Sequence, residues 1–179
     1  MGKVFESITD KQVGWIEAQK IFFVATAPLS QEGLINVSPK GLDTFRILDR
    51  NTVAYLDLAG SGIETISHIQ QNSRITIMFT AFEGSPKSLR LYGKGEVIKF
   101  NSEKFEKYYS HFIPHVGIRS IIKVNLIRIQ DSCGWSIPLY KYVGDRGVYD
   151  KYCDTKGREK LIQEIENGNS SSLDGLPGF

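Results

Sequence analysis

The sequence predicts an antiparallel β-barrel of the α+β class, predominantly antiparallel β with peripheral helices. Three observations carry that expectation. About seven segments are rich in β-branched and aromatic residues or alternate apolar with polar residues. Most gaps between them suit hairpins, and only one or two leave room for the crossover helix that each parallel pair would need. One alternating run, Ser88 to Ile98, contains Gly93 and Gly95, and glycine inside a strand marks a bulge or a barrel corner. Closure into a barrel would remove exposed edges.

The chain opens on a helix. Thr9 is a good N-cap, Gln12 three residues on completes a capping box, and Ile8 with Val13 can form a hydrophobic staple. This helix is expected to end near Gln19. Phe22 to Thr26 reads as a strand, Gln31-Glu32-Gly33 as a turn and Leu34 to Ser38 as the returning strand. Phe45 to Leu48 is a short strand, followed by a turn over Asp49-Arg50-Asn51 and a strong strand from Thr52 to Leu58. A helix over Ile63 to Gln71 precedes a strand over Arg74 to Thr80. Ser88 to Ile98 and Ile121 to Ile129 alternate as strands, with a helix over Ser102 to Phe112 between them. Lys156 to Asn167 is a charged helix carrying Leu161, Ile162 and Ile165. Residues 1–168 are read as one domain and residues 169–179, rich in serine and glycine at their start, as a flexible tail.

Composition bounds the function. Hydrophobic residues are 41% of the 179 and charged residues 23%, with a net charge of +2, which argues against disorder and against a strongly basic nucleic-acid binder. No stretch approaches the ~20 apolar residues of a membrane helix. Lys3, Glu6, Asp10 and Lys11 interrupt any signal-peptide run. Cys133 and Cys153 read as reduced thiols of a cytoplasmic protein, and no metal-ligand pair stands at short spacing.

Four segments can carry chemistry. In Asn36-Val37-Ser38-Pro39-Lys40-Gly41, Pro39 should stop or bulge a strand and present Lys40 at its rim, where a point charge suits a phosphate. A solvated loop lysine is the alternative. In Leu58-Ala59-Gly60-Ser61-Gly62-Ile63-Glu64-Thr65, a strand runs through a small loop into a helix whose first N–H groups favour an anion. Ser61 and Thr65 add hydroxyls, although Ser61 could simply cap the helix. The glycine spacing matches neither a dinucleotide fingerprint nor a Walker loop. Arg90 alternates with Leu89 and Leu91 and can hold phosphate bidentately, or lie on an exposed sheet face. Trp135, between Gly134 and Pro138, can cover a planar ligand or fill the core. His68 could face a ligand, whereas His111 and His115 read as structural or exposed, and no Ser-His-Asp arrangement stands out.

In order, these segments resemble the pyridoxamine 5′-phosphate oxidase-like superfamily, the FMN-binding split barrel. The resemblance covers roughly residues 5–131 and rests on the Ser-Pro-Lys-Gly strand end, the Tyr-Leu-Asp-Leu strand, the loop-helix with Asn72 and the Leu-Arg-Leu-Tyr-Gly strand. It implies a homodimer with FMN at the subunit interface, the phosphate held by Lys40, Ser61 and Thr65, with Arg90 as a further candidate, and Gly62 among the cofactor-binding residues. Val37, Ser38 and Asp57 would follow the ribityl chain and ring, and Trp135, from this subunit or the other, would cap the ring. It further implies hydride chemistry on a small substrate, with NADH or NADPH as a reductant. The chain departs from pyridoxamine phosphate oxidase itself. Ser61-Gly62-Ile63 stands where that enzyme carries Ser-Arg-Lys, and its C-terminal substrate-binding motifs are not evident, so the expectation is a general flavin-dependent oxidoreductase. The same fold using the deazaflavin F420 or haem, and a non-catalytic flavin binder, remain the alternatives.

Overall fold

The computed structural model describes residues 2–179. Its elements are β1 (Val4–Phe5), α1 (Asp10–Glu17), β2 (Phe22–Thr26), β3 (Asn36–Lys40), β4 (Phe45–Asp49), β5 (Thr52–Leu58), α2 (Glu64–Asn72), β6 (Arg74–Thr80), β7 (Lys87–Lys99), α3 (Phe105–Tyr109), β8 (Ile118–Cys133), α4 (Val148–Lys156) and α5 (Arg158–Gly168). The expected capping box forms at α1: the Gln12 N–H donates to Thr9 Oγ1 and the Thr9 N–H to Gln12 Oε1. Two elements had no sequence expectation, the short strand β1 and helix α4. Helix α3, Phe105–Tyr109, is shorter than the expected Ser102 to Phe112.

All eight strands join one antiparallel sheet in the order β3-β2-β6-β7-β8-β5-β4, with β1 on β8. Strands β7 and β8 are the spine, 13 and 16 residues long, paired from Lys87–Cys133 to Lys99–Ser120. Their register shifts at Tyr92/Gly93, as the glycine in the run foretold. A Cβ on Gly93 would lie 2.5 Å from the Asn125 carbonyl oxygen, so only glycine permits this approach.

The sheet is not closed by hydrogen bonds, which corrects the expectation of a barrel without edges. Strands β3 and β4 are its two free ends. Side chains draw β4 back across the sheet instead. Phe45 on β4 meets Phe22 on β2 at 5.2 Å between ring centroids and Phe79 on β6 at 5.0 Å. The sheet therefore curls until its far strands pack across an apolar seam. Pro39 does not stop its strand as expected. It pairs with Phe23, and it is tolerated because β3 lies at an edge.

Alternation sorts the side chains. Phe22 and Val24, Val53 and Tyr55, Ile75, Ile77 and Phe79, Leu89 and Leu91, and Ile122 and Val124 fill the interior. On the other face Ala54, Leu56, Ile98 and Ile121 pack beneath Phe105 and Phe112. Residues 169–179, expected as a tail, lie against α2 and the loop before β3. The Leu173 N–H donates to Glu64 Oε1, and the Leu34 N–H to Asp174 Oδ2 at 3.0 Å.

Candidate functional site

At the open end of the barrel, three elements converge. Register places Asn36, Ser38 and Lys40 on the interior face of β3, since Lys40 pairs with Phe22 and Ser38 with Val24. Strand β5 contributes Asp57, next in the interior row after Val53 and Tyr55. The Gly60-Ser61-Gly62 loop then delivers α2. Ser38, Lys40, Asp57, Gly60, Ser61, Gly62, Glu64, Thr65 and Arg119 line one pocket of about 200 Å³.

Asp57 is fully buried, and Arg119 is only 6% exposed. Arg119 forks onto the carboxylate through Nε at 2.8 Å and an NH2 nitrogen at 3.1 Å, and Ser120 Oγ donates to it at 3.0 Å. Burial works against the Arg119 charge, but the Asp57 charge and hydrogen bonds prevail and raise its pKa. The other arm of Arg119 donates to the Gly62 carbonyl and to Asn169 Oδ1, both at 2.8 Å. Lys40 Nζ stands 3.9 Å from Asp57 Oδ1, beyond a hydrogen bond, and its side chain is 23% exposed. Arg119 and Asp57 thus cancel, and Lys40 keeps its donors for something else. Half-buried Glu64 is the opposing charge on the pocket wall.

The start of α2 adds unpaired donors. Its N-cap is Ile63, with no side-chain hydrogen bond, so Ser61 does not cap the helix. The N–H groups of Glu64 and Thr65 open the first turn without an intrahelical partner. Thr65 Oγ1 accepts from Asn36 Nδ2 at 2.9 Å, and Ser38 Oγ donates to Asn36 Oδ1 at 3.3 Å. This arrangement can hold a small anion through hydroxyls, backbone N–H groups and one ammonium, all at a helix N-terminus.

The pocket therefore gathers Ser38, Lys40, Asp57, Ser61, Gly62 and Thr65 from the sequence candidates. It does not gather the other three in this chain. Val37 and Arg90 lie on the exterior face of the sheet, Arg90 pairing with Met78 and donating to Ser132 Oγ at 3.0 Å. Trp135 is 83% exposed, so it fills no core. His68 is buried and meets Thr26 Oγ1 through Nδ1 at 3.0 Å. Burial pushes the Cys153 thiol pKa up, which suits an inert core thiol.

Sequence reasoning missed Arg119, Ser120 and Asn169, and it named Asn36 within a candidate segment without giving it a role. A signal existed for Arg119. It was indirect: Asp57 is the lone charge in the apolar strand Thr52 to Leu58, and a buried carboxylate calls for a cation without naming it.

This split barrel defines a class of protein, and comparison with known proteins places the chain within it. The family model described as pyridoxamine 5′-phosphate oxidase matches residues 8–133. A curated relative, the pyridoxamine 5′-phosphate oxidase family protein ustO of Aspergillus flavus, is 37% identical over 98% of this chain and 77% of its own length. Among solved structures, HupZ of Group A Streptococcus superimposes with a TM-score of 0.53 at 23% identity, over 68% of this chain and 91% of that one. A Lactobacillus delbrueckii protein assigned provisionally as a pyridoxamine 5′-phosphate oxidase gives 0.53 at 16%, over 70% and 94%. The chain belongs to the pyridoxamine 5′-phosphate oxidase family. Among the described residues, no helix is long and apolar enough to cross a membrane.

Proposed function

We propose that this chain is an FMN-binding oxidoreductase that works as a homodimer. The observation that carries the reading is the convergence of Ser38, Lys40, Ser61, Thr65 and the uncapped start of α2 on one pocket, in a chain of this family. About 200 Å³ suits a phosphate with the adjoining ribityl end and is too small for a whole flavin, for which pockets of roughly 300 Å³ or more are usual. The ring would then lie outside the pocket. Ile35 and Ile127, 76% and 69% exposed, line one open groove, and this apolar surface, with Val37 exposed nearby in sequence, is what a second copy would cover. When bound, FMN would supply a hydride acceptor at N5, the hydride coming from a reduced nicotinamide or a small substrate.

This chain's own residues would do the holding. Lys40 offers a mobile ammonium, Ser61 and Thr65 offer hydroxyls, and the first N–H groups of α2 point outward to an anion. Asp57 is too negative to touch a phosphate; its work is to fix Arg119.

Purified protein should be yellow and should elute at twice the monomer mass. Lys40→Ala should weaken FMN roughly tenfold, as expected for loss of a charge-assisted contact, and leave riboflavin unchanged. Colourless protein that takes up no added FMN would overturn the proposal. Preferential uptake of F420 or haem in a competition titration would redirect it to another cofactor.

A further inference from the structure

We propose that Asn169 is a positioning residue of the phosphate end of this pocket, and that residues 170–179 strap it in place. The inference rests on the proposed reading of the pocket as a phosphate site.

Asn169 is only 2% exposed, although it ends helix α5. Its amide faces two pocket components at once. Oδ1 accepts from Arg119 at 2.8 Å, and Nδ2 donates to the Gly60 carbonyl at 3.3 Å. One side chain thereby ties the cation of β8 to the loop that follows β5. That loop needs a tie. Gly60 and Gly62 leave its backbone free to wander, and Ser61 is useful only if held still. Arg119 bridges to Gly62 from the other side, so the loop is fixed at both glycines by one connected pair of side chains.

The following residues keep Asn169 seated. The Leu173 N–H reaches Glu64 Oε1 at 3.3 Å, and Ser67 Oγ reaches the Leu176 carbonyl at 3.5 Å, so the strap grips α2 itself. Asp174 holds the Leu34 N–H ahead of β3. The return limb closes tightly. A Cβ on Gly178 would fall 2.0 Å from the Asn169 carbonyl oxygen and 2.9 Å from Ile63 at the α2 N-cap. Asn169 and the strap lie beyond residues 8–133, the part that the family model matches, while the groups they hold lie within it.

The test compares FMN with riboflavin, which lacks only the phosphate. Each is titrated against wild type, Asn169→Ala and Asn169→Asp by quenching of flavin fluorescence, after a circular-dichroism melt of each variant. Wild type should prefer FMN. Asn169→Ala should cut that preference about tenfold through weaker FMN alone. Asn169→Asp keeps the acceptor for Arg119, loses the donor to Gly60 and adds a negative charge, so its loss should be at least as large. It also stands in if the alanine variant does not fold. Folded variants that keep the wild-type preference overturn the inference, and so does equal weakening of both flavins. A wild type that binds both flavins alike, or neither, refutes the phosphate reading itself and removes the inference with it.

Discussion

Tyr55 and Asp57 stand two residues apart on one strand, point into the same barrel, and meet opposite surroundings. Around Tyr55 lie rings: Phe22 at 5.5 Å, with Phe45 and Phe79 beyond it. Around Asp57 lie Arg119, Ser120 and, further off, Lys40. The aromatic region closes a seam that the hydrogen-bond ladder leaves open. It does so by contact that is non-directional and proportional to area. The ionic region is directional, and its members were taken out of water at a cost that only full pairing offsets. The first holds the fold together. The second spends part of that stability to set donors around a pocket.

The sharpest way to break the comparison is to remove one ionic partner. Asp57→Ala would leave the Arg119 guanidinium buried and unpaired, and urea unfolding should register a loss of about 3–5 kcal/mol. A loss near zero would mean that Arg119 reaches solvent once released, and that this end is not the costly one. Phe45→Ala comes next. It removes the ring that joins β4 to β2 and β6, at a half-buried site, so the loss should sit near the low end of the usual range, about 3 kcal/mol. If the seam were loosely packed, the midpoint would hardly move.

His68 gives a pH-dependent probe of the polar side. Burial lowers its pKa, opposed by the nearby charges of Asp174 and Glu64. The folded state therefore resists the proton that the unfolded chain accepts at its ordinary value near 6.5. Stability should be fully present at neutral pH and should fall as the pH drops below that value toward the folded pKa. Urea midpoints at pH 7.5 and 5.5 measure the difference, and His68→Gln should flatten it. An unchanged slope in that variant would assign the acid sensitivity to other groups.

The spine of the fold was legible because alternation is a local signal. Thr52 to Leu58 and Ser88 to Ile98 announce themselves within a few residues, and Gly93 sits where the register shifts. The seam was not legible, since whether β4 meets β2 and β6 depends on how the whole sheet curls. The candidate site divides the same way. Lys40, Ser61 and Thr65 are visible because strand ends and helix starts mark themselves with proline, glycine and hydroxyl residues. Arg119 and Asn169 come from 50 residues or more downstream of the loop they bind, and nothing local to either names its partner. Arg90 shows the converse. Alternation with the buried Leu89 and Leu91 puts it on the outer face, where it pairs with Met78 and donates to Ser132, but a strand's own pattern does not say that this face lies away from the pocket.

The smallest effect tests where the two regions meet. The Tyr55 hydroxyl is fully buried and has no hydrogen-bond partner among the described residues. Burial, reinforced by the Asp57 charge, pushes its pKa well above the ordinary tyrosine value, so the group stays a neutral, unsatisfied phenol. Tyr55→Phe keeps the ring against Phe22 and deletes only the orphan. Removing an unpaired polar atom without opening a cavity of consequence should leave stability unchanged or raise it by about 1 kcal/mol. A loss of about 2 kcal/mol instead would show the hydroxyl bonded in solution, through a water toward Asp57 for example. The boundary between apolar seam and ionic pocket would then move one residue down β5, and Tyr55 would count as the pocket's floor rather than the seam's edge.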